Sequence, residues 1–450
     1  MTNGRPRRRS IFTGVVLIVL GMIFLAQNFR GEFGFWRLFS KWWPLLLILW
    51  GVAKLIDRLA AQRSGEGAPP TITGGEIFLV SCLILLGLGV SAAHWIPAEI
   101  GADVPLWGNE YSFNQDVGPQ AVPAKSHISI RTMRGDIEVR AEDAPEIRVS
   151  AKKTGHAWTE NEARRQCQRV SVAISHSGDG YEVGTQGGDG GRCTVNLEVH
   201  VPKQADVNTR TDRGDVHLAG IEGGVSVATA RGDVEVRDPG GDVSIEMRKG
   251  DVHVSGAGGN VKVSGRGGDV SISNVAGAAN IDGEFFGAIR LEKIAKGVHF
   301  LSQRTDLTVT KLSGRVDTSS GNLEITDASG SVTLKTRDYD IDMENVGGRI
   351  QVENRNGNVE LRFANPPKDD IDVTNASAGI TLTLPARAPF EIRADSHSGE
   401  IETEFTDSSL KKTGGGGQDS DSRLEGKVGG RGPKINLKTS YGSIALRKTT

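Results

Sequence analysis

Hydrophobic and polar residues alternate in short runs through the middle of the chain, and these runs recur at a fixed interval. A glycine stands at every ninth position over part of this region: Gly232, Gly241, Gly250, Gly259, Gly268 and Gly277. Each of the first five is followed by Asp or Asn and then by Val-x-Val or Val-x-Ile. Period-two alternation of β-branched residues predicts a short strand buried on one face. The Gly-Asx pair predicts a turn before each strand.

A second period of eighteen residues lies on top of the first. It separates Arg213-Gly214-Asp215, Arg231-Gly232-Asp233 and Lys249-Gly250-Asp251. Two strands and two turns therefore make one coil, and a fixed period of this kind is typical of a repeat architecture. The sequence predicts a mainly β fold, a β-solenoid with about 18 residues per coil.

The turns of successive coils predict a structural ladder, because stacked strands lie about 4.8 Å apart. The predicted members are Gly214, Asp215, Gly232, Asp233, Gly250, Asp251, Gly268 and Asp269. A column of like charge is unfavourable, but Arg213, Arg231 and Lys249 stand two residues away and can offset it. Arg-Gly-Asp is also the tripeptide that animal integrins bind. Its recurrence in the repeat, and again at residues 134–136, favours turn geometry over adhesion.

The alternation also predicts which side chains point inward. One sheet should bury Val234, Val236, Val252, Val254, Val270 and Ile272, and the facing sheet Val243, Ile245, Val261 and Val263. The pattern continues less regularly after Gly277 and has its last clear member at Tyr441-Gly442-Ser443-Ile444.

Three apolar runs before residue 100 predict a helical transmembrane anchor at 1–97, with helices near 11–28, 42–57 and 77–96. Four arginines precede the first run, and no Lys or Arg stands between His94 and Lys125. This asymmetry predicts a multi-pass protein of the bacterial cytoplasmic (inner) membrane, with the C-terminal domain outside the cytoplasm. The second run is short, and the sidedness depends on whether it crosses the bilayer.

The remaining chain divides by composition into three parts. Residues 98–124 are predicted to be a linker, 125–210 an N-terminal β part with a short helix, and 211–450 the solenoid repeats. Thr159 followed by Glu162 has the capping-box spacing of a helix start. The glycine-rich polar stretch 407–433 predicts a flexible loop.

Of the three cysteines, Cys82 lies in the third apolar run, and Cys167 and Cys193 fall together on the predicted outer side. A disulfide between Cys167 and Cys193 can form if the compartment is oxidising. Two free buried thiols are the alternative.

The composition and motifs argue against several functions. A net charge of −2 with a pI near 6.5 gives no electrostatic footprint for nucleic acid. The nine histidines make no HExxH spacing, and no Gly-x-Ser-x-Gly elbow or Walker loop occurs. We therefore predict no catalytic residues, no cofactor and no metal site. Calcium remains the rival hypothesis, because nine-residue Gly-Asp repeats resemble the RTX solenoid but lack its second Gly-x-Asp step.

Several stretches resemble a known bacterial family. "RTMRGDIEVRAED", "NLEVHVPKQADVNTRTDRGDVHL" and "KINLKTSYGSIALRK" look like the adhesin-like DUF4097 family, and the resemblance covers about residues 125–448. That family implies a β-solenoid of unassigned biochemical activity, which also occurs in LiaF-like regulators of cell-envelope stress. "GVVLIVLGMIFLAQNF" followed by "WWPLLLILWGVAKLI" is similar to the membrane hairpin of LiaF- and LiaI-like proteins, although the third apolar run departs from a two-helix anchor.

These observations lead to a functional hypothesis of a non-enzymatic, membrane-anchored β-solenoid that serves as an adhesin-like surface scaffold. The expected partners are the lipid bilayer and another envelope protein or a surface ligand, with no nucleic acid. The alternative is a regulator of a cell-envelope stress two-component system that acts through its membrane helices.

Overall fold

A computed structural model gives the fold and describes residues 81, 109–178, 180–187, 193–319, 321–414 and 421–449. The chain divides into two units, 1–106 and 107–450, and all described residues except Ser81 belong to the second. Apart from Ser81, the three predicted membrane helices lie outside the described residues, as do Cys82 and His94. Among the residues that are described, no helix combines the length and the apolar character needed to cross a membrane.

The described residues form 33 strands and one helix, α1 (Glu160–Gln168), and the strands lie in two long sheets. Strands are numbered in chain order. The first sheet has the spatial order β1 (Asn109–Ala121), β4 (Glu146–Ala157), β7 (Cys193–Pro202), β3 (Ile137–Glu142), β9 (Val216–Ala219), β11 (Val234–Arg237), β13 (Val252–Ser255), β15 (Val270–Val275), β17 (Ile289–Ile294), β20 (Leu312–Ser319), β21 (Asn322–Ala328), β23 (Asp340–Glu344), β25 (Val359–Arg362), β27 (Ile380–Pro385), β33 (Ile444–Thr449) and β29 (Ile401–Thr403).

The second sheet has the order β5 (Ser171–Ser177), β6 (Gly180–Gln186), β2 (His127–Arg134), β8 (Asp206–Arg213), β10 (Val225–Thr229), β12 (Val243–Met247), β14 (Val261–Gly267), β16 (Ala279–Phe285), β18 (Val298–Leu301), β19 (Asp306–Val309), β22 (Val332–Lys335), β24 (Ile350–Asn354), β26 (Ile371–Asn375), β32 (Lys434–Thr439), β28 (Phe390–Ser396), β31 (Ser422–Val428) and β30 (Lys411–Thr413).

The chain alternates between the two sheets, so each coil contributes one strand to each. Val216, Val234, Val252 and Val270 pair in parallel register at intervals of eighteen residues. The ten side chains predicted to point inward are each at most 2% exposed, which confirms the predicted register. Burial of each such aliphatic side chain contributes about 1.5–3 kcal/mol relative to leaving it exposed.

One coil runs in the opposite sense to its neighbours. β19 pairs antiparallel with β18 and β22, and β20 pairs antiparallel with β17 and β21. A tight hairpin makes the first reversal, where Ser302 Oγ accepts from the main-chain N–H of Thr305 at 3.1 Å. Parallel stacking resumes at β21 and β23. The reversal coincides with the region in which the glycine period becomes irregular.

At both ends of the stack, the terminal coil of the domain is inserted between two others. β2 and β3 lie between β6–β7 and β8–β9. Likewise, β32 and β33 lie between β26–β27 and β28–β29. The first and last coils are therefore hydrogen-bonded on both sides instead of lying at exposed edges.

The structures predicted for two segments of the chain are wrong in part. The predicted linker 98–124 contains β1, which pairs antiparallel with β4 because Tyr111, Phe113 and Val117 alternate with polar residues and are half-buried. The predicted flexible loop 407–433 contains β31, which pairs with β28 and buries Leu424 to 1% exposure. Residues 415–420 of that loop lie outside the described residues.

Helix α1 packs on β4 near one end of the stack. Thr159 is its N-cap, and its hydroxyl accepts from the N–H of Glu162 at 3.4 Å, as the spacing predicts. Gly155 permits the close approach, since a Cβ there would lie 3.1 Å from Cys167 Sγ. The buried Lys153 ammonium donates to the carbonyl of Val170, just beyond the helix C-terminus, and burial lowers the pKa of Lys153.

Candidate functional site

The four predicted Asp residues form one column along the turns that lead from the second sheet to the first. In this column the side chain of one coil accepts from the main-chain N–H of the next. The Oδ1–N distances are 2.8 Å for Asp215 to Asp233, 2.9 Å for Asp233 to Asp251 and 2.8 Å for Asp251 to Asp269. Asp136, from the Arg-Gly-Asp at residues 134–136, extends the column with a 3.0 Å bond from the N–H of Asp215.

These hydrogen bonds differ from the prediction that a column of cationic side chains would offset the charge of the carboxylates. Within the described residues, Arg213, Arg231 and Lys249 make no ion pair with the carboxylates of the column. Main-chain N–H groups, instead of the cationic column, directly stabilise the carboxylates, and a net hydrogen bond of this kind contributes about 0.5–1.5 kcal/mol. The column is therefore part of the repeat's own hydrogen bonding.

The glycines of the column are required by two different constraints. Gly232 has φ +139°, and an added Cβ would lie 2.0 Å from the carbonyl oxygen of Gly214. Gly214 and Gly250 have the same conformation, with φ of +140° and +138°. At Gly268 the constraint is space alone, since a Cβ would lie 2.2 Å from Asp251 Oδ1.

A second column on the opposite turns was not among the predicted site residues. Asp206 Oδ1 accepts from the N–H of Gly224 at 2.7 Å, and Asp242 Oδ1 from the N–H of Asn260 at 2.7 Å. Asn260 Oδ1 in turn accepts from the N–H of Ala278 at 3.0 Å. An amide oxygen can thus replace a carboxylate in such a column, and the eighteen-residue spacing of Asp242 and Asn260 was the available signal.

In the C-terminal half, buried asparagines bind the turns that lead from the second sheet to the first. These asparagines were not predicted from the sequence. Asn354 is 4% exposed and donates from Nδ2 to the carbonyls of Tyr339, Asn356 and Gly357 at 2.9, 2.8 and 3.2 Å. Asn375, 1% exposed, stacks in register on Asn354 and donates to the carbonyl of Gly357 at 2.9 Å. Because an inward asparagine is polar, it does not fit the alternation of hydrophobic and polar residues that identifies the buried face of a strand.

Cys167 on α1 and Cys193 at the start of β7 are joined by a disulfide with a Cα–Cα distance of 5.4 Å. Both cysteines are buried, at 2% and 5% exposure. The bond ties α1 to the first sheet. The sequence left a disulfide and two free thiols as alternatives, and the structure has the disulfide.

Ion pairs lie on the outer faces of the sheets, both between neighbouring strands and within a strand. His217 Nδ1 lies 3.1 Å from Glu235 Oε2, and Arg237 pairs with the same carboxylate at 2.5 Å. Burial tends to raise the pKa of Glu235, but hydrogen bonds from Arg237 and His217 outweigh it and hold that pKa below its usual range. Such exposed pairs each contribute at most about 1 kcal/mol.

Within the part of the chain that the structure describes, no group of three or more His, Cys, Asp or Glu side chains is placed to hold a metal ion. The ladder carboxylates already accept hydrogen bonds from main-chain N–H groups, which stabilise them without a bound ion. We expect residues 107–450 to keep their β-type circular dichroism in excess EDTA. Collapse to a disordered spectrum that returns on adding calcium would show instead that the repeat is an ion-dependent solenoid.

Two stretches of the chain match known protein families. Residues 125–447 match the Toastrack DUF4097 family, and residues 12–97 match the LiaF transmembrane domain. No curated protein matches the chain at a significant level.

Two solved structures are similar to the chain. One, named for cell adhesion and from Clostridium sporogenes ATCC 15579, is 9% identical, with 76% of this chain and 100% of that chain covered and a TM-score of 0.17. The other, named as an adhesin and from Bacteroides fragilis NCTC 9343, is 10% identical, with 75% and 97% covered and a TM-score of 0.19. These TM-scores are too low to support an argument. The match over residues 125–447 spans more than half of the sequence, and the chain belongs to the Toastrack DUF4097 family.

Proposed function

We propose that the protein is a membrane-anchored, non-enzymatic β-solenoid of a bacterium, displayed outside the cytoplasmic membrane as a scaffold for surface interaction. In this proposal, helices near 11–28, 42–57 and 77–96 form a multi-pass anchor, and the β domain presents its two outer faces to the envelope. The match of residues 12–97 to a transmembrane domain supports the anchor.

The proposed location outside the cytoplasm rests on the Cys167–Cys193 disulfide. Disulfides persist in oxidising compartments and are rare in the bacterial cytoplasm, and this one joins two buried cysteines of the β domain. The absence of Lys and Arg between His94 and Lys125 favours the same side.

The non-enzymatic part of the proposal rests on how the recurring carboxylates are used. Asp215, Asp233 and Asp251 each accept a main-chain N–H of the next coil. A carboxylate bound in this way stabilises the turn. A general acid or base instead needs to reach a substrate's proton.

Protease accessibility tests the location. The full chain would be expressed in a bacterium with an outer membrane, and intact cells and spheroplasts would be treated with protease. We expect cleavage within 107–450 in spheroplasts only, while a cytoplasmic marker stays whole in both. If the domain resisted protease until the spheroplasts were lysed, the domain would be cytoplasmic and the proposal would fail.

A second function is favoured by the match to the LiaF transmembrane domain. The membrane helices would contact a sensor kinase of a cell-envelope stress two-component system, and the solenoid would modulate that contact. A two-component system encoded beside the gene would favour this regulator, whereas neighbouring secretion genes alone would not.

A further inference from the structure

A shallow groove of about 610 Å³ lies on the outer face of the second sheet, across β6, β2, β8 and β10. Its floor is formed by Ser129, Asn208 and Ser226, which stand in register on three neighbouring parallel strands. We call this feature the Ser129–Asn208–Ser226 groove. It is independent of the turn ladder and of the disulfide.

The groove is concave because short side chains lie between longer ones. On β2, Ser129 is flanked by His127 and Arg131, which point to the same face two residues away on either side. Gly224 leaves a gap beside the floor, and its N–H is held by Asp206 Oδ1 at 2.7 Å. The sequence of the strands thus builds a trough along the stacking direction.

The acidic and basic side chains that line the groove all have partners within the protein. His127 Nδ1 lies 3.3 Å from Asp206 Oδ2, and Arg131 lies 3.0 Å from Glu182. Asp242 Oδ1 accepts from the N–H and Nδ2 of Asn260 at 2.7 and 3.2 Å. The floor therefore offers neutral hydrogen-bonding groups between acidic and basic side chains that already have partners within the protein.

We propose that the Ser129–Asn208–Ser226 groove binds a neutral, hydroxyl-rich glycan chain lying along the stacking direction. Serine hydroxyls and the asparagine amide can both donate and accept hydrogen bonds, as the ring hydroxyls of a sugar do. Ser244 on β12 continues the row next to Ser226, so four such groups span about 14 Å at the spacing of parallel strands. That length suits several sugar units, and Lys262 ends the row on β14.

The charges also favour a neutral ligand over an anionic polymer. A polyanion gains affinity from unpaired cations, whereas Arg131 already pairs with Glu182, and His127 lies 3.3 Å from Asp206 Oδ2. The glycan proposal rests on the proposed extracytoplasmic location, because envelope glycans are found there. Its failure would leave that location untouched, since protease accessibility reports the location alone.

Binding would be measured on the full chain in detergent micelles by isothermal titration calorimetry. The probes are hexamers of β-1,4-linked N-acetylglucosamine, β-1,4-linked glucose and α-1,4-linked glucose, with poly(glycerol phosphate) as the anionic alternative. We expect at least one neutral hexamer to bind, with an affinity that changes less than about twofold between 50 and 500 mM salt. The loss of one neutral hydrogen bond in Asn208→Ala should weaken binding by roughly 2- to 12-fold.

Thr333→Ala is the matched control, because Thr333 is an exposed hydroxyl residue on β22 of the same sheet, outside the groove. It should leave the affinity unchanged, and both variants should melt like the parent. The proposal is overturned if no neutral hexamer binds at millimolar concentration, or if only poly(glycerol phosphate) binds in a salt-dependent way. Equal effects of Asn208→Ala and Thr333→Ala would also overturn it.

Discussion

Val252→Asp should destabilise the β domain by more than about 4 kcal/mol, because it places an unpaired charge in the core. Val252 is 2% exposed and pairs in register with Val234 and Val270 on the neighbouring strands of the first sheet. The substitution loses the burial of an aliphatic side chain and adds the cost of desolvating a carboxylate. Urea unfolding of residues 107–450, followed by circular dichroism, would measure the change.

Ser244→Asp is the matched control for this variant. Ser244 is exposed on β12 between Ser226 and Lys262, so a new carboxylate there stays in water beside a lysine. Its effect should be within about 0.5 kcal/mol. If Val252→Asp unfolded at the same urea concentration as the parent, the inward register of the first sheet would be wrong.

The predictable part of the fold is the part in which local and long-range signals agree. From β8 to β16, the alternation within each strand and the eighteen-residue spacing between strands both specify the same inward residues. Val243 and Val261 could therefore be assigned to the core from the sequence, and both are at most 1% exposed. A shorter stretch of the same agreement recurs after the reversed coil, where Leu323, Ile341 and Val359 pair at eighteen-residue intervals.

The features that were missed depend on pairing between distant segments. The insertion of β32 and β33 between earlier coils is a choice of neighbours, and nothing within residues 434–449 encodes it locally. Neither β19 nor β20 is preceded by the Gly-Asx pair that precedes each strand from β11 to β15. Strand β1 alternates between hydrophobic and polar residues, but Asn114 and Asp116 give it the polar composition of a linker.

The candidate site was predictable in its position and not in its bonding. The spacing located the column of Asp215, Asp233 and Asp251, since a repeat places equivalent residues one above another. It could not show that each carboxylate accepts the next coil's N–H, because a hydrogen bond between coils depends on the φ and ψ of the turn. The predicted role of the arginines was inferred from charge alone, and charge does not specify contact.

The Arg231-Gly232-Asp233 turn should respond to substitution as architecture and not as an adhesion ligand. We expect Gly232→Val to cost at least about 3 kcal/mol, since a β-branched residue resists φ +139° and its Cβ would meet Gly214 O at 2.0 Å. Gly184→Val is the matched control, because the nearest atom to a Cβ there is 3.9 Å away and no positive φ is needed. That control should melt within a few degrees of the parent.

Substitutions of Asp233 separate the two interpretations further. Asp233→Asn should be nearly as stable as the parent, because Asn260 makes the equivalent bond to Ala278 N in the opposite column at 3.0 Å. Asp233→Glu should lose about 1–2 kcal/mol, since the longer side chain no longer fits the 2.9 Å bond to Asp251 N. Thermal melting of residues 107–450 would rank the variants, and attachment to cells would be measured on the same preparations. A fully stable Asp233→Glu protein that no longer attached to cells would show that the carboxylate is read by a receptor, because the fold would then not account for the loss.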